Sequence, residues 1–154
     1  MKRLIIVVGL GLLGLIFALT PLSQISAQGN QQLIEVMGSQ QYTATTLSND
    51  QQTGLNVEGA YFVLNVTGAL TTPLITPSIQ LKDPVSGNYS NIMVASTGVS
   101  TIGTYTYLLY PATGTAAFSV TQVANYPLPN SWRVVVTHLD TDPITYSIGA
   151  LLVQ

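Results

Sequence analysis

From residue 33 to the C-terminus, the chain consists of short apolar runs separated by clusters of glycine, proline, asparagine, aspartate and serine. Turn-forming clusters at this spacing are typical of an all-β domain, in which each apolar run is one strand. Several runs alternate apolar and polar residues, and no segment after residue 27 has the long 3.6-residue repeat of a helix. The sequence therefore predicts nine strands, at residues 33–37, 42–47, 58–67, 78–82, 89–95, 104–110, 116–123, 132–138 and 144–153.

This number of short strands in one domain favours a single β-sandwich, either a jelly roll or an immunoglobulin-like domain. The Cys–Trp–Cys signature of a true immunoglobulin domain is absent, because the chain has no cysteine. Residues 83–88 include Pro84 and Gly87 and predict a turn that joins two strands into a hairpin. Residues 139–143 predict a second hairpin, between the last two strands. The apolar strand 144–153 is expected at the edge of a sheet, where it could pair with a neighbouring molecule.

The first 27 residues have the organisation of a secretory signal peptide. Lys2 and Arg3 form a short positive segment, residues 4–19 are an uninterrupted apolar stretch, and Ala27 is the small residue expected before a cleavage site. The alternative is a retained membrane anchor, although the stretch is shorter than the roughly 20 residues of a typical membrane-spanning helix. The sequence predicts a signal peptide at 1–27, a flexible mature N-terminus at 28–32 and a β-sandwich domain at 33–154, secreted or at the cell surface.

Charged residues make up only 6% of the chain. Two basic and six acidic side chains follow residue 27, so the mature part has a formal net charge of −4. A weakly acidic domain with two cations has no electrostatic basis for binding nucleic acid or anionic lipid. Contact with a membrane is therefore expected only through the N-terminal segment, if that segment is retained. The absence of cysteine excludes disulfides, thiolate metal sites and cysteine nucleophiles.

His138 is the only histidine of the chain. A hydrolase would pair it with an aspartate and a serine such as Ser131 or Ser147, but the sequence contains no G-x-S-x-G nucleophile motif. A histidine at the end of a strand more often stabilises the adjacent turn through a hydrogen bond. The sequence therefore predicts a turn-stabilising role for His138, and the same role for Asp83 in the turn at 83–88. It argues against an enzyme.

Two further sets of residues have the chemistry of a binding site. Asp140 and Asp142 are alternate carboxylates in a loop, and with another loop acid such as Asp83 they could bind Ca²⁺, which requires six or more oxygen ligands. The alternative is that these aspartates stabilise the turn through their own backbone. Tyr105 and Tyr107 lie on one face of a predicted strand, as a platform for a glycan or protein partner or as cross-strand packing. No other cofactor is expected.

Four segments in order carry a resemblance to a known group of proteins: QLKDPVSGNY at 80–89, Tyr110-Pro111, LPNSWRVVVTH at 128–138 and ITYSIGA at 144–150. Together they resemble small β-rich proteins encoded among tailed-phage and prophage structural genes and in bacterial metagenomes. The resemblance covers about residues 58–154 and implies a structural β-domain of the virion type, with no catalytic residues to carry over. A signal peptide departs from that pattern, because phage heads and tails assemble in the cytoplasm.

These features favour a secreted, non-catalytic structural β-sandwich that associates with copies of itself or with other surface proteins. The alternative interpretation is a secreted module that binds a glycan or a protein partner. A hydrolase is a remote third interpretation.

Overall fold

The computed structural model describes residues 32–111 and 120–154 and confirms the expected all-β class. The predicted signal peptide, residues 28–31 of the predicted flexible segment and residues 116–119 of a predicted strand lie outside these ranges. No helix in the described ranges is long and apolar enough to cross a membrane. The ten strands are β1 (Gln32–Tyr42), β2 (Thr46–Leu47), β3 (Gln51–Gln52), β4 (Gly59–Ala69), β5 (Ile75–Lys82), β6 (Tyr89–Val94), β7 (Gly103–Leu109), β8 (Gln122–Ala124), β9 (Ser131–His138) and β10 (Ile144–Val153).

The strands form two sheets that pack face to face. The first sheet has the order β1-β10-β4-β7-β8, and the second has the order β2-β9-β5-β6, with β3 also paired to β9. Neighbouring strands are antiparallel except for β7 and β8, which run parallel. The edges of the first sheet within the described residues are therefore β1 and β8.

The strand order is that of a jelly roll. When β3 is grouped with β2 and the short strand β8 is set aside, eight strands remain, in the orders 1-8-3-6 and 2-7-4-5. This is the arrangement of two interlocked Greek keys. An immunoglobulin-like sandwich would place its first two strands in one sheet, whereas β1 and β2 lie in different sheets. The β-sandwich is thus confirmed, and its strand order matches the jelly-roll alternative.

The core lies between the sheets and is formed by the apolar residues at alternate strand positions. In β10 every second residue from Ile144 to Leu152 is buried. In β9 the fully buried Trp132 meets the ring of Phe62 edge-on, with 5.2 Å between the ring centroids. Burial of apolar surface stabilises the folded state by about 25 cal/mol per Å², so the apolar face of each strand points inward. On the opposite faces the described residues are mostly half-buried or exposed, apart from residues such as Leu108, Val135 and Ser78.

The prediction of a hairpin at 139–143 is wrong. Strands β9 and β10 belong to different sheets, so this segment carries the chain from one sheet to the other. The strand β10 is not an edge strand either, because β1 and β4 flank it on both sides. Turn residues such as Asp140 and Pro143 indicate a change of direction, but they do not determine which sheet the next strand joins.

The prediction of one strand at 42–47 is also wrong. Tyr42 ends β1 in the first sheet, whereas Thr46 begins β2 in the second sheet. The chain therefore crosses between the sheets at residues 43–45. The sequence does not predict β3 at all, because two glutamines have no apolar alternation to indicate a strand.

The predicted hairpin at 83–88 is confirmed, since β5 and β6 pair antiparallel on either side of it. The strand β5 begins at Ile75 and contains Pro77. The carbonyl of Pro77 accepts a hydrogen bond from the Ala95 amide, just beyond the end of β6. The N and O atoms of one residue in an antiparallel strand point to the same neighbour. The missing N–H of Pro77 therefore faces the point where β6 has ended, and the strand tolerates the proline.

Candidate interaction surfaces

The two tyrosines predicted as a binding platform lie on the inner side of β7, which corrects that prediction. Tyr107 is only 2% exposed and belongs to the core, where burial raises its pKa to about 12. Tyr105 is half-buried against the core, and its hydroxyl donates to the Thr101 carbonyl at 3.0 Å. The register of β7 and β4 places Tyr107 opposite Phe62. Cross-strand packing is therefore the role that the structure gives to these tyrosines.

Both ring nitrogens of His138 are buried and have no hydrogen-bond partner among the described residues. The hydrogen bond expected from this ring to the following turn is therefore not formed, which corrects the predicted turn-stabilising role. The ring lies beside Tyr146, with 6.2 Å between the centroids, and the His138 amide donates to Thr45 Oγ1 at 3.1 Å. Burial lowers the pKa of His138, against the opposing effect of the Asp140 carboxylate. The ring lies at the end of β9, beside the core residue Tyr146.

The serines considered for a hydrolase do not lie near the histidine. Ser131 and His138 are the first and last residues of β9, a separation of about 20 Å along an extended strand. Ser147 alternates with the buried residues of β10 and points to the outer side of the first sheet. His138, in contrast, contacts Tyr146 on the inner side. These residues therefore do not assemble a catalytic group.

The two loop aspartates bond to backbone amides. Asp140 Oδ1 accepts from the Asp142 amide at 3.0 Å, and Asp142 Oδ2 accepts from the Thr72 amide at 3.3 Å. Asp83 follows β5 and Asp140 follows β9, and these strands are antiparallel, so the two acids lie at opposite ends of the second sheet. Within residues 32–111 and 120–154, no three His, Cys, Asp or Glu side chains form a group that could hold a metal. The structure thus corrects the proposal that Asp83 completes a calcium site.

Asp83 instead bonds within its own turn. Its Oδ1 accepts from the Val85 amide at 2.9 Å, and its Oδ2 accepts from Ser86 Oγ at 2.5 Å. The hydrogen bond from Ser86, followed by that from Val85, lowers the pKa of Asp83. This is the geometry by which an aspartate replaces backbone hydrogen bonds in a tight turn.

The outer face of the first sheet carries a row of apolar residues that crosses all five strands. We call it the first apolar row, and the strand register pairs each of its residues with the next: Leu33, Leu151, Tyr61, Leu108 and Val123. Leu33 is 78% exposed and Val123 is 39% exposed, whereas Leu108 is buried. Leu151 and Tyr61 are half-buried, so four of the five residues offer some apolar surface, and a contiguous apolar patch marks an interaction surface more reliably than scattered residues do.

A shallow groove of about 350 Å³ lies along β1 and β10 beside Leu33. Two irregularities in the pairing of β1, on either side of Met37, interrupt the strand register there. Gly149 adds space to the groove because it has no side chain, and the Glu35 carboxylate lines it. Among the described residues, this carboxylate has no hydrogen-bond or ion-pair partner. The groove therefore combines an apolar wall with one unpaired negative charge.

The outer face of the second sheet holds both cations of the described residues. Arg133 lies over the ring of Tyr89, with its guanidinium carbon 3.4 Å from the ring centroid, and its Nε donates to Gln80 Oε1 at 2.8 Å. Asp50 accepts from Lys82 Nζ at 2.7 Å and from the Tyr89 hydroxyl at 2.6 Å, and these bonds lower the pKa of Asp50. In the described part of the chain, the two terminal amino groups of Arg133 have no hydrogen-bond partner, although the guanidinium interacts electrostatically with the Asp50 carboxylate. They are available to an external carboxylate.

A second apolar row crosses this face beside the cations. Its residues pair across the four main strands of the sheet and are the apolar Leu47, Val135 and Val94 together with one serine, Ser78. Leu47 is 51% exposed and Val94 is 45% exposed, whereas the two central residues are buried. Both sheets therefore present a largely apolar row on their outer faces, with the Glu35 carboxylate close to the first row and the Arg133 guanidinium, which interacts with Tyr89 and Asp50, close to the second.

Comparison with known proteins identifies no family for this chain: no family model and no curated protein matches it. Among solved structures, the chain is similar to the structure of infectious bursal disease virus, Gx strain, with 11% identity over 79% of this chain and 32% of that chain and a TM-score of 0.42. It is also similar to the structure of the Gt strain, with 9% identity over 83% of this chain and 34% of that chain and a TM-score of 0.40. The chain spans about a third of the length of these viral chains.

Proposed function

We propose that the chain is an exported, non-catalytic structural protein whose jelly-roll unit associates with further copies of itself. The observation that carries this proposal is the first apolar row, which crosses the outer face of an entire sheet. Leu33, at one end of that row, is 78% exposed in the isolated chain. Covering such a side chain with another molecule would stabilise the contact by about 25 cal/mol per Å² of apolar surface.

The jelly roll by itself does not decide between an assembling unit and a glycan-binding module, because capsid and lectin domains both use it. The side chains that would favour a glycan platform, Tyr105 and Tyr107, belong to the packing of the core. The separation of His138 from Ser131 and Ser147 supports the non-catalytic part of the proposal. Self-association is thus the function that the described surfaces support best.

Self-association is tested by sedimentation velocity on the protein produced from the full-length gene, over a concentration range from micromolar to millimolar. The expected result is a weight-average sedimentation coefficient that rises continuously with concentration, with oligomers visible by electron microscopy at the upper end. A protein that sediments as a monomer over the whole range would contradict the proposal.

Export is supported by the organisation of residues 1–27. The test is mass spectrometry of the protein recovered outside the cytoplasm after expression of the full-length gene in a bacterial host. Cleavage after Ala27 gives a product that begins at Gln28. Recovery of the uncleaved chain in the cytoplasm would contradict export, and recovery of the uncleaved chain in the membrane fraction would indicate an anchored form.

A further inference from the structure

We infer that the copies stack face to face, with the outer face of the first sheet of one copy against the outer face of the second sheet of the next copy. This inference rests on the proposed self-association and specifies its geometry. The occupant of each face is therefore a second copy of this chain. Three properties of the two faces support the inference. The apolar rows match, opposite charges lie at matching positions, and a contact between two identical faces would bring like charges together.

Each face carries an apolar row that crosses its sheet, as described above. The exposed members are Leu33 and Val123 on the first sheet and Leu47 and Val94 on the second. The second row is exposed at both ends and buried in the middle, at Val135 and Ser78. Laying one row on the other would cover the exposed leucines and valines of both faces in a single contact.

Opposite charges lie at the same distance from the two rows. Glu35 follows Leu33 by two residues on β1, and Arg133 precedes Val135 by two residues on β9. Two residues of a strand span about 7 Å. When the rows are superposed with the charges on the same side, the backbone positions of Glu35 of one copy and Arg133 of the next stand at the same height, and the Arg133 guanidinium reaches from there across β5 to the ring of Tyr89 on β6. A carboxylate and a guanidinium group can then form a pair of parallel hydrogen bonds.

The same charges disfavour contacts between identical faces. A two-fold axis that passes close to these residues would bring Glu35 towards Glu35 in a contact between two first-sheet faces, and Arg133 towards Arg133 in a contact between two second-sheet faces. Like charges at an interface oppose association. The complementary contact joins different faces, so the copy at each end of a stack keeps one free face to which a further copy can bind. Contacts of this head-to-tail type produce open filaments unless the rotation closes a ring.

The size of the second sheet limits the strength of one contact. The four strands contain 2, 8, 8 and 6 residues, and at about 3.3 Å per residue and about 4.8 Å between strands they give a flat area on the order of 400 Å². A standard stable interface buries about 800 Å² on each partner. A single contact is therefore expected to be weak, and the stack is expected to lengthen with concentration and to shorten with added salt, which screens the Glu35–Arg133 pair.

The test uses two variants of the full-length protein, each with one blocked face. Leu33→Asp places a charge in the first apolar row, and Leu47→Asp places a charge in the second. Each variant alone should associate at least about tenfold more weakly than the wild type, because every contact needs one face of each kind and a buried unpaired charge is costly. A mixture of the two should form a 1:1 dimer that does not grow further, since one intact face remains on each partner.

Leu55→Asp is the matched control. Leu55 is 93% exposed and lies in the loop between β3 and β4, away from both faces, so this variant should assemble like the wild type. Circular dichroism and thermal melting establish that each variant is folded. If either face variant fails to fold, Glu35→Lys replaces Leu33→Asp and Val94→Asp replaces Leu47→Asp, and the mixing experiment is repeated.

The remaining outcomes separate the two proposals. Assembly of one face variant alone at wild-type strength would show that identical faces pair, and it would overturn the stacking inference. A mixture that remains monomeric, or two variants that both assemble normally, would overturn it as well. In each of these cases the wild type still associates, so the proposed function stands. A monomeric wild type would overturn both.

Discussion

Arg133 and Tyr89 form a stacked contact on the outer face of the second sheet, with the guanidinium carbon 3.4 Å from the centroid of the ring. The two residues belong to β9 and β6, and β5 lies between these strands, so the contact spans three strands. The hydrogen bond from Arg133 Nε to Gln80 on the middle strand fixes the same side chain from below. An arginine that is already ordered loses less conformational entropy when it binds a carboxylate.

Replacing Arg133 with alanine should lower the free energy of unfolding by about 1 kcal/mol, because both the cation–π contact and the hydrogen bond to Gln80 are lost. Lys82→Ala should cost less. The ion pair of Lys82 with Asp50 is exposed at the surface, with 37% and 33% of the two side chains accessible, and such pairs contribute little. Urea unfolding of both variants measures the difference.

Salt dependence separates these two contributions further. The effect of Lys82→Ala should diminish as the salt concentration rises, because an exposed ion pair is screened. The effect of Arg133→Ala should persist, since stacking on Tyr89 also buries part of the arginine side chain. Equal losses for both variants at high salt would show that the stack adds nothing to stability.

Replacing Tyr107 with phenylalanine should leave the protein as stable as the wild type or up to about 1 kcal/mol more stable. The Tyr107 hydroxyl is buried and has no hydrogen-bond partner among the described residues, so the phenol loses its hydration on folding without compensation. Equilibrium unfolding at neutral pH measures the change. A loss of several kcal/mol would indicate that the hydroxyl has a partner such as a bound water.

The same tyrosine should affect stability at alkaline pH. Burial raises the pKa of Tyr107 from 10.0 to about 12 in the folded protein. As the pH rises through this interval, the unfolded chain releases the proton first, so the stability of the folded state falls. Tyr107→Phe should reduce the slope of this decline. Burial also raises the pKa of Tyr146, so this tyrosine should account for the decline in stability that remains in the variant. An unchanged slope would contradict the assignment of the decline to Tyr107.

The positions of most strands could be predicted, whereas their assignment to sheets could not. The predicted strand 144–153 agrees with β10 in both bounds, because its buried and exposed residues alternate without interruption. The position of β10 between β1 and β4 depends on pairing with residues that are distant in the sequence. The local pattern around Asp140 and Pro143 contains no information about those partners.

The candidate surfaces, too, could be predicted from the sequence only in part. Alternation places Tyr105 and Tyr107 on one face of β7, but only the pairing with β4 shows that this face is the inner one. The first apolar row could not be recognised from the sequence, since its members come from five separate strands. The alternation of Leu33 and Glu35 with Ile34 is the one local signal, and it does not reveal which other residues join them.

Gly87→Ala should destabilise the protein by about 1 kcal/mol. Gly87 has a φ of 73° in the turn between β5 and β6, and a residue with a Cβ atom is disfavoured in this left-handed conformation. Nothing lies within 4 Å of the position where a Cβ would be added, so the cost is conformational rather than steric. Thermal unfolding monitored by circular dichroism measures it.

Gly54→Ala is the matched control for Gly87→Ala. A Cβ at Gly54 would also meet nothing within 4 Å, and its φ lies outside the left-handed range. This variant should be neutral or slightly stabilising, because alanine reduces the conformational entropy of the unfolded chain. A loss of stability as large as that of Gly87→Ala would contradict the explanation by backbone conformation.

Mild acid should weaken the fold through His138. Burial lowers the pKa of this histidine in the folded protein below its ordinary value of 6.5. As the pH falls below 6.5, the unfolded chain binds a proton before the folded chain does, so the free energy of unfolding decreases. The decrease should be measurable above about pH 5, where carboxylates with ordinary pKa values near 4 remain ionised. Urea unfolding at a series of pH values across this interval provides the test.

His138→Phe isolates the contribution of the ring. Phenylalanine retains an aromatic ring beside Tyr146 and removes the two ring nitrogens, which have no partner in the described part of the protein. This variant should be at least as stable as the wild type at neutral pH, and its stability should stay constant between pH 6.5 and about 5. If the variant loses stability over this interval as steeply as the wild type does, a group other than His138 titrates there.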